Sequence, residues 1–285
     1  MNNSEHEIWT ILKVLNWTKG YLAERGVENA RLESEWLLCA ALGLDRVGLY
    51  VNFEKPLQPH ELAEVRGTVA RRARREPLQY ILGSQEFMGM EFRVSPAVLI
   101  PRHDTETLVH EAVNRAGGVK KVLDLGSGSG CIAVALAKLL SDATVTSVDC
   151  STKALDIARE NAGKNGVTVR FLAGSLFQPV AGELFDLIVS NPPYIPTADL
   201  DGLQPEVREF EPKGALDGGA DGLDFYRLII PAAPDHLNPG GWLMVEVGTG
   251  QADAVRGMFT TAGFTEIFTA KDPGGIDRVV GGQFP

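Results

Sequence analysis

The arrangement with the clearest chemistry is Asn191-Pro192-Pro193-Tyr194, directly after the apolar run Phe185-Asp186-Leu187-Ile188-Val189-Ser190. An amide or aryl-amine nitrogen is a poor nucleophile because its lone pair is delocalised, so it gains more from position than from a strong base. The Asn191 side-chain oxygen and the Pro192 carbonyl can accept both hydrogens of a flat NH2 group. That grip aims the nitrogen at an electrophilic methyl and stabilises the positive charge that develops on it. Prolines stiffen the loop and keep both acceptors preorganised, and Tyr194 offers an aromatic wall for a planar group. Asn191, Pro192 and Tyr194 are therefore the candidate catalytic residues, and Asn191, Pro192, Pro193 and Tyr194 the candidate substrate contacts. No general base is needed, because the nitrogen becomes acidic once methylated and can lose its proton to water. His103 and His110 read as exposed or structural histidines rather than bases.

A second constellation supplies the electrophile. Val122-Leu123-Asp124-Leu125-Gly126-Ser127-Gly128-Ser129-Gly130 follows a strand-like run and opens a helical one. Glycines there permit a tight turn and close backbone approach to a ligand. A dinucleotide fingerprint would place its third glycine at position 131, which is Cys131. Asp149 ends the next strand about 20 residues on, where a carboxylate can accept both hydroxyls of a ribose. A dinucleotide remains an alternative, but the pattern favours S-adenosylmethionine, leaving as S-adenosylhomocysteine. The candidate cofactor contacts are Asp124, Gly126, Ser127, Gly128, Ser129, Gly130, Asp149 and Asn191.

The chain has 285 residues and a net charge of −10. Residues 1–83 carry eleven basic and eleven acidic side chains, so the whole excess of acid falls on residues 84–285, where the chemistry lies. Average repulsion of phosphate argues against direct nucleic-acid binding. Arg71, Arg72, Arg74 and Arg75 are read as a solvated helix face with glutamates nearby. Three scattered cysteines suit neither a disulfide framework nor a zinc site, and no metal is expected. No apolar run is long enough to span a bilayer, and Met1–Glu7 is too polar and acidic for a secretory signal. The expectation is a cytoplasmic monomer without a membrane partner.

Positioning these residues requires a layered scaffold. Residues 1–83 have helical spacing: Ile8, Ile11, Leu12 and Leu15, then Leu32, Trp36, Leu37 and Ala40, then a stretch from Leu57 to Arg75 that Pro77 ends. Residues 84–101 read as a β-hairpin linker turning near Gly89. From 102 to 285, strand-like runs alternate with helical ones, which implies an α/β domain with a mostly parallel sheet covered on both faces.

Beyond both motifs, the chain resembles the HemK/PrmC family of protein-(glutamine-N5) methyltransferases along its whole length. The resemblance rests on Glu76-Pro77-Leu78-Gln79-Tyr80-Ile81-Leu82-Gly83, Glu86-Phe87-Met88-Gly89, Val98–Glu106, Phe210-Glu211-Pro212, Asp221–Arg227 and Asp277-Arg278-Val279. It implies a helical substrate-recognition domain, a hairpin, and a seven-stranded Rossmann-like class I methyltransferase domain. It implies as substrate the glutamine of the Gly-Gly-Gln loop of peptide chain release factors. It also implies that Leu176 flanks the adenine of the cofactor. Ser175 stands where relatives often have Asp, and His103 where they often have Pro. The tetrad alone leaves other readings open: methylation of an exocyclic base amine, methylation of a ribosomal-protein glutamine, or a non-enzymatic cofactor-sensing module. The chain's own Gly281-Gly282-Gln283 is read as a coincidence of sequence.

Overall fold

The computed structural model describes residues 8–115 and 117–285, so the Met1–Glu7 stretch invoked against a signal peptide lies outside the described residues. Two compact units emerge, one formed by Met1–Gly83 with Pro205–Phe210, the other by Ser84–Gln204 with Glu211–Pro285. Among the described residues, no helix is long and apolar enough to cross a membrane.

The first unit is built from α1 (Ile11–Ala23), α2 (Ala30–Leu42), α3 (Arg46–Val51), α4 (Pro59–Ala73) and α5 (Leu78–Leu82). Thr10 caps α1, its side chain accepting from the Lys13 N–H, so Ile8 falls outside the helix and stays exposed. Gly43 ends α2 in the left-handed conformation, and Gln58 with Glu61 forms a capping box that starts α4. Ile11, Leu22, Leu37, Leu38 and Leu49 are fully buried between these helices. The arginine run divides. Arg71 pairs with Glu76, whereas Arg72 is buried and bridges Glu33 and Glu206, and Arg75 pairs with Glu206. Glu206 lies on the short helix Pro205–Phe210, which sequence reading groups with the later domain and which packs here with the helices. Arg72 thus departs from the solvated face expected of it, because two carboxylates accompany it into the interior.

The second unit opens with the antiparallel hairpin β1 (Ser84–Phe87) and β2 (Met90–Arg93), turned by Met88 and Gly89 at positive φ. A helix α6 (Glu106–Arg115) leads into β3 (Lys121–Leu125), α7 (Cys131–Leu139), β4 (Thr144–Asp149), α8 (Thr152–Lys164), β5 (Val169–Ala173) and β6 (Phe185–Ser190). After α9, the Pro205–Phe210 helix, come α10 (Asp224–Ala232), β7 (Leu237–Glu246), α11 (Ala252–Thr261), β8 (Thr265–Lys271) and β9 (Asp277–Gln283). Seven of these strands form one sheet in the order β5-β4-β3-β6-β7-β9-β8. β3 to β7 pair in parallel, and β9 runs antiparallel to both its neighbours. The strands are near-continuous apolar runs because both faces are covered by helices. Strand order reverses between β3 and β6, the place where open α/β sheets bind ligands.

Candidate active site

Leu125 and Ser190, the last residues of β3 and β6, are paired in register, and the Ser190 hydroxyl donates to the Leu125 carbonyl at 2.8 Å. Gly126 and Asn191 therefore leave adjacent strands side by side at the same edge of the sheet. A cavity of about 280 Å³ opens there. Gly126, Ser127, Gly128, Ser129, Asp149, Leu176, Asn191, Pro192 and Pro193 all line it.

The glycine loop earns its composition at two positions. A Cβ on Gly130 would sit 2.9 Å from the Ala158 side chain, so this glycine lets α7 pack on α8 rather than facing the cavity. Gly128 has φ +52 and open space where a Cβ would stand, which leaves room for a ligand to approach the backbone. Asp149 is fixed by two backbone donors, Gly128 N–H at 2.9 Å and Ser151 N–H at 2.8 Å. Its remaining lone pairs are free for hydroxyl donors. Behind the loop, Ser127 and Ser147 hydroxyls meet at 2.5 Å and Ser147 donates to Asp124 at 2.6 Å. Asp124 is completely buried, does not line the cavity, and has its carboxyl pushed up to about 7 by that burial. Leu176 lines the cavity with φ +48, a costly conformation for a bulky residue, and such strain concentrates at functional sites. Ser175 lines it as well.

The tetrad is clamped by close backbone packing. Gln251 Nε2 donates to the Tyr194 carbonyl at 2.8 Å, Ile195 N–H to Leu216 O at 3.0 Å, and Gly218 N–H to Ile195 O at 2.8 Å. Asn191 Nδ2 donates to Thr105 Oγ1 at 3.2 Å, which leaves Asn191 Oδ1 for the cavity. Tyr194 does not line the cavity, in contrast to the wall expected of it. Its ring packs on the apolar core and its hydroxyl donates to Glu246 Oε1 at 3.4 Å. Burial, then the Glu246 charge, pushes its phenol up to about 12. His103 and His110 are exposed and are not among the residues that line the cavity.

Residues 13–83 match the PrmC N-terminal domain, and residues 103–202 the methyltransferase small domain. A release factor glutamine methyltransferase of Geobacter sulfurreducens is 69% identical over 277 residues, covering 97% of this chain and 98% of that protein. The chain belongs to the release factor glutamine methyltransferase family. A second member, from Moorella thermoacetica, is 44% identical over 258 residues, covering 89% of this chain and 91% of its own. A methyltransferase from Pyrococcus furiosus superposes with a TM-score of 0.52 over 75% of this chain and 98% of its own; at 19% identity it shows the fold alone. This member of the release factor glutamine methyltransferase family is thus a methyltransferase, and membership implies S-adenosylmethionine as donor.

Sequence reasoning had no role for several residues of this family member's site. Pro101, Arg102 and Thr105 line the cavity, and so do Pro212, Gly214 and Ala215. Buried Glu211 ties these two segments together, accepting from Ile100 N–H at 3.1 Å and pairing with Arg102. Pro101, Arg102, Thr105, Glu211 and Pro212 fall inside runs that carry the family resemblance, which was the available signal, whereas Gly214 and Ala215 lie just beyond it; no spacing rule links residues more than 100 positions apart.

Proposed function

We propose that the chain transfers a methyl group from S-adenosylmethionine to the side-chain amide nitrogen, N5, of the glutamine in the Gly-Gly-Gln loop of peptide chain release factors. The observation that carries this reading is the single cavity shared by the glycine loop, Asp149 and the Asn191-Pro192 turn. The residues suit the donor. Asp149 offers acceptor positions for the ribose, Leu176 and Ser175 flank the adenine, and Gly126 to Ser129 line the part of the cavity left for the methionyl part. When bound, S-adenosylmethionine supplies an electrophilic methyl carbon on its sulfonium. Asn191 Oδ1 and the Pro192 carbonyl accept the two hydrogens of the glutamine amide and hold its nitrogen in line. With the donor bound, the N–C bond would form as the methyl–sulfur bond breaks and S-adenosylhomocysteine is left, and those acceptors would stabilise the positive charge on nitrogen. The extra proton then leaves to water. Asp124, Gly130 and Tyr194 support the site from behind its lining, Asp124 and Gly130 by shaping the loop and Tyr194 by anchoring the turn.

The unit with the cavity carries 15 basic and 24 acidic side chains, nine of the chain's ten net negative charges, which favours a protein substrate over RNA or DNA. In our reading the enzyme acts as a cytoplasmic monomer, where release factors are found, with no membrane partner. Incubation with labelled donor and a release factor tests the assignment: label must enter the loop peptide and vanish when the loop glutamine is replaced by alanine. Label retained on that alanine variant would overturn it.

A further inference from the structure

Asn161, on α8, is fully buried, and its side-chain amide makes three hydrogen bonds inside the second unit. Its Oδ1 accepts from the Arg93 N–H at 2.7 Å, and its Nδ2 donates to the Arg93 carbonyl at 3.0 Å and to the Ser129 carbonyl at 2.8 Å. These contacts fix the orientation of the amide: turned over, it would set oxygen against two carbonyl oxygens and N–H against N–H. Arg93 ends the hairpin strand β2, and Ser129 belongs to the glycine loop, so one side chain fastens the loop to the hairpin. One turn earlier on the same helix, Ala158 packs against Gly130. Ser129 is 3% exposed and lines the cavity, yet its hydroxyl has no hydrogen-bond partner, the neighbouring Cys131 thiol being a weak donor at most. Leaving a buried hydroxyl unpaired is unfavourable, and a polar group of a bound ligand would satisfy it.

We infer that Asn161 is a positioning residue for the cofactor: it holds Ser129 so that the Ser129 hydroxyl meets the methionyl end of S-adenosylmethionine. The inference rests on the proposed donor. The loop itself does little to fix Ser129. Gly128 and Gly130 flank it with φ +52 and +81, and glycine backbone adopts many conformations. A binding group must be held within about 0.5 Å of its productive place. The bond from Asn161 Nδ2 to the Ser129 carbonyl supplies that hold from behind the loop. Its anchor is firm, because Asn161 grips both backbone groups of Arg93 and α8 bonds the hairpin twice more. Asn165 Nδ2 donates to the Glu91 carbonyl at 3.2 Å, and Lys164 Nζ pairs with the Glu91 carboxylate at 2.8 Å. Affinity for the donor is thereby set in part by a residue that does not line the cavity.

The test uses Asn161→Asp, Ser129→Ala, the two combined, and Asn165→Ala, which removes a bond from the same helix to the same hairpin strand but none to the loop. Asn161→Asp keeps the acceptor for the Arg93 N–H and sets a second oxygen against both carbonyls. The readouts are affinity for S-adenosylhomocysteine by calorimetry, KM for the donor against kcat on a release factor, and the thermal midpoint without cofactor. Affinity should fall about 10-fold in Asn161→Asp and in Ser129→Ala, and no more than about threefold further in the double variant, since both act on one contact. The loss should lie in KM, with kcat at saturating donor within about threefold of wild type. Asn165→Ala should leave affinity within about twofold, whatever it does to the midpoint. Wild-type affinity in Asn161→Asp or in Ser129→Ala, or a double variant whose loss is the product of the two, would overturn the inference. So would an Asn165→Ala that binds as weakly as Asn161→Asp. Should Asn161→Asp fail to fold, Asn161→Ala is read by the same criteria. A wild-type protein that does not bind S-adenosylhomocysteine is a separate outcome, which sinks the proposed donor instead.

Discussion

A Cβ placed on Gly222 would stand 2.3 Å from the carbonyl oxygen of Tyr194. Gly222 also has φ +76, so both the space and the backbone there are reserved for glycine. The rigidity of the catalytic turn is thus supplied partly by a residue 28 positions downstream of Tyr194. Gly222→Ala is expected to displace Tyr194 and, with it, the Pro192 carbonyl. We expect kcat to fall about 100-fold, since misplacing a reacting group by about 1 Å has that effect, with cofactor affinity little changed. Steady-state kinetics beside calorimetry with S-adenosylhomocysteine checks the split.

Asp149 has two tasks, holding the Gly128 amide and offering acceptors to a ribose. Asp149→Ala removes both. The dissociation constant for S-adenosylhomocysteine should rise by about 10- to 100-fold, corresponding to about 1.4–3 kcal/mol. Calorimetric titration measures it; an unchanged constant would remove Asp149 from the cofactor contacts.

Asp124 and Glu246 make a joint prediction about pH. Burial raises both carboxyls to about 7 in the folded protein, above their ordinary values of 3.8 and 4.5. The folded state then binds protons more tightly than the unfolded chain. Their contribution to stability is full below pH 4 and is lost as pH rises towards 7, by an amount on the order of 3 kcal/mol each. Asp124→Asn and Glu246→Gln should each flatten this fall. Urea unfolding at pH 5 and pH 8 reads the difference, and a variant that keeps the wild-type change would contradict the assignment.

Arg72 is the buried cation between Glu33 and Glu206. Arg72→Ala leaves Glu33 without its cation and Glu206 with Arg75 alone. A loss of about 3–5 kcal/mol is expected, seen as an earlier urea midpoint. Arg74→Ala, at an exposed neighbour, should shift it by no more than about 0.5 kcal/mol.

What could be read from the residues alone follows from how local each signal is. Phe185–Ser190 is the span of β6 and also the apolar run before Asn191, because a strand buried on both faces needs no alternation. The glycine loop and Asp149 were legible because turn chemistry and strand ends are short-range. The short helices α3, α5 and α9 were not, since five or six residues carry too little periodicity to show. Arg72 was mistaken for a surface residue because its partner Glu206 is 134 positions away. Glu246 was invisible because nothing in its own neighbourhood marks it, and Thr105 was marked only by lying in the Val98–Glu106 run. Tyr194 was given the wrong direction, because the motif states which residue follows the turn and not where its ring goes.

Gly281 and Gly282 lie inside β9, pressed flat by aromatic rings: a Cβ on Gly281 would meet Phe268 at 2.4 Å, and on Gly282 would meet Phe259 at 2.8 Å. Gln283 spends its amide on the Gly240 carbonyl at 2.9 Å. The enzyme thus wears a copy of the tripeptide proposed as its target and keeps it out of circulation by weaving it into a sheet. Self-modification should be nil in the native protein, and a freed C-terminal peptide, or chain unfolded and offered to fresh enzyme, becomes the first place to look for stray methyl groups on Gln283.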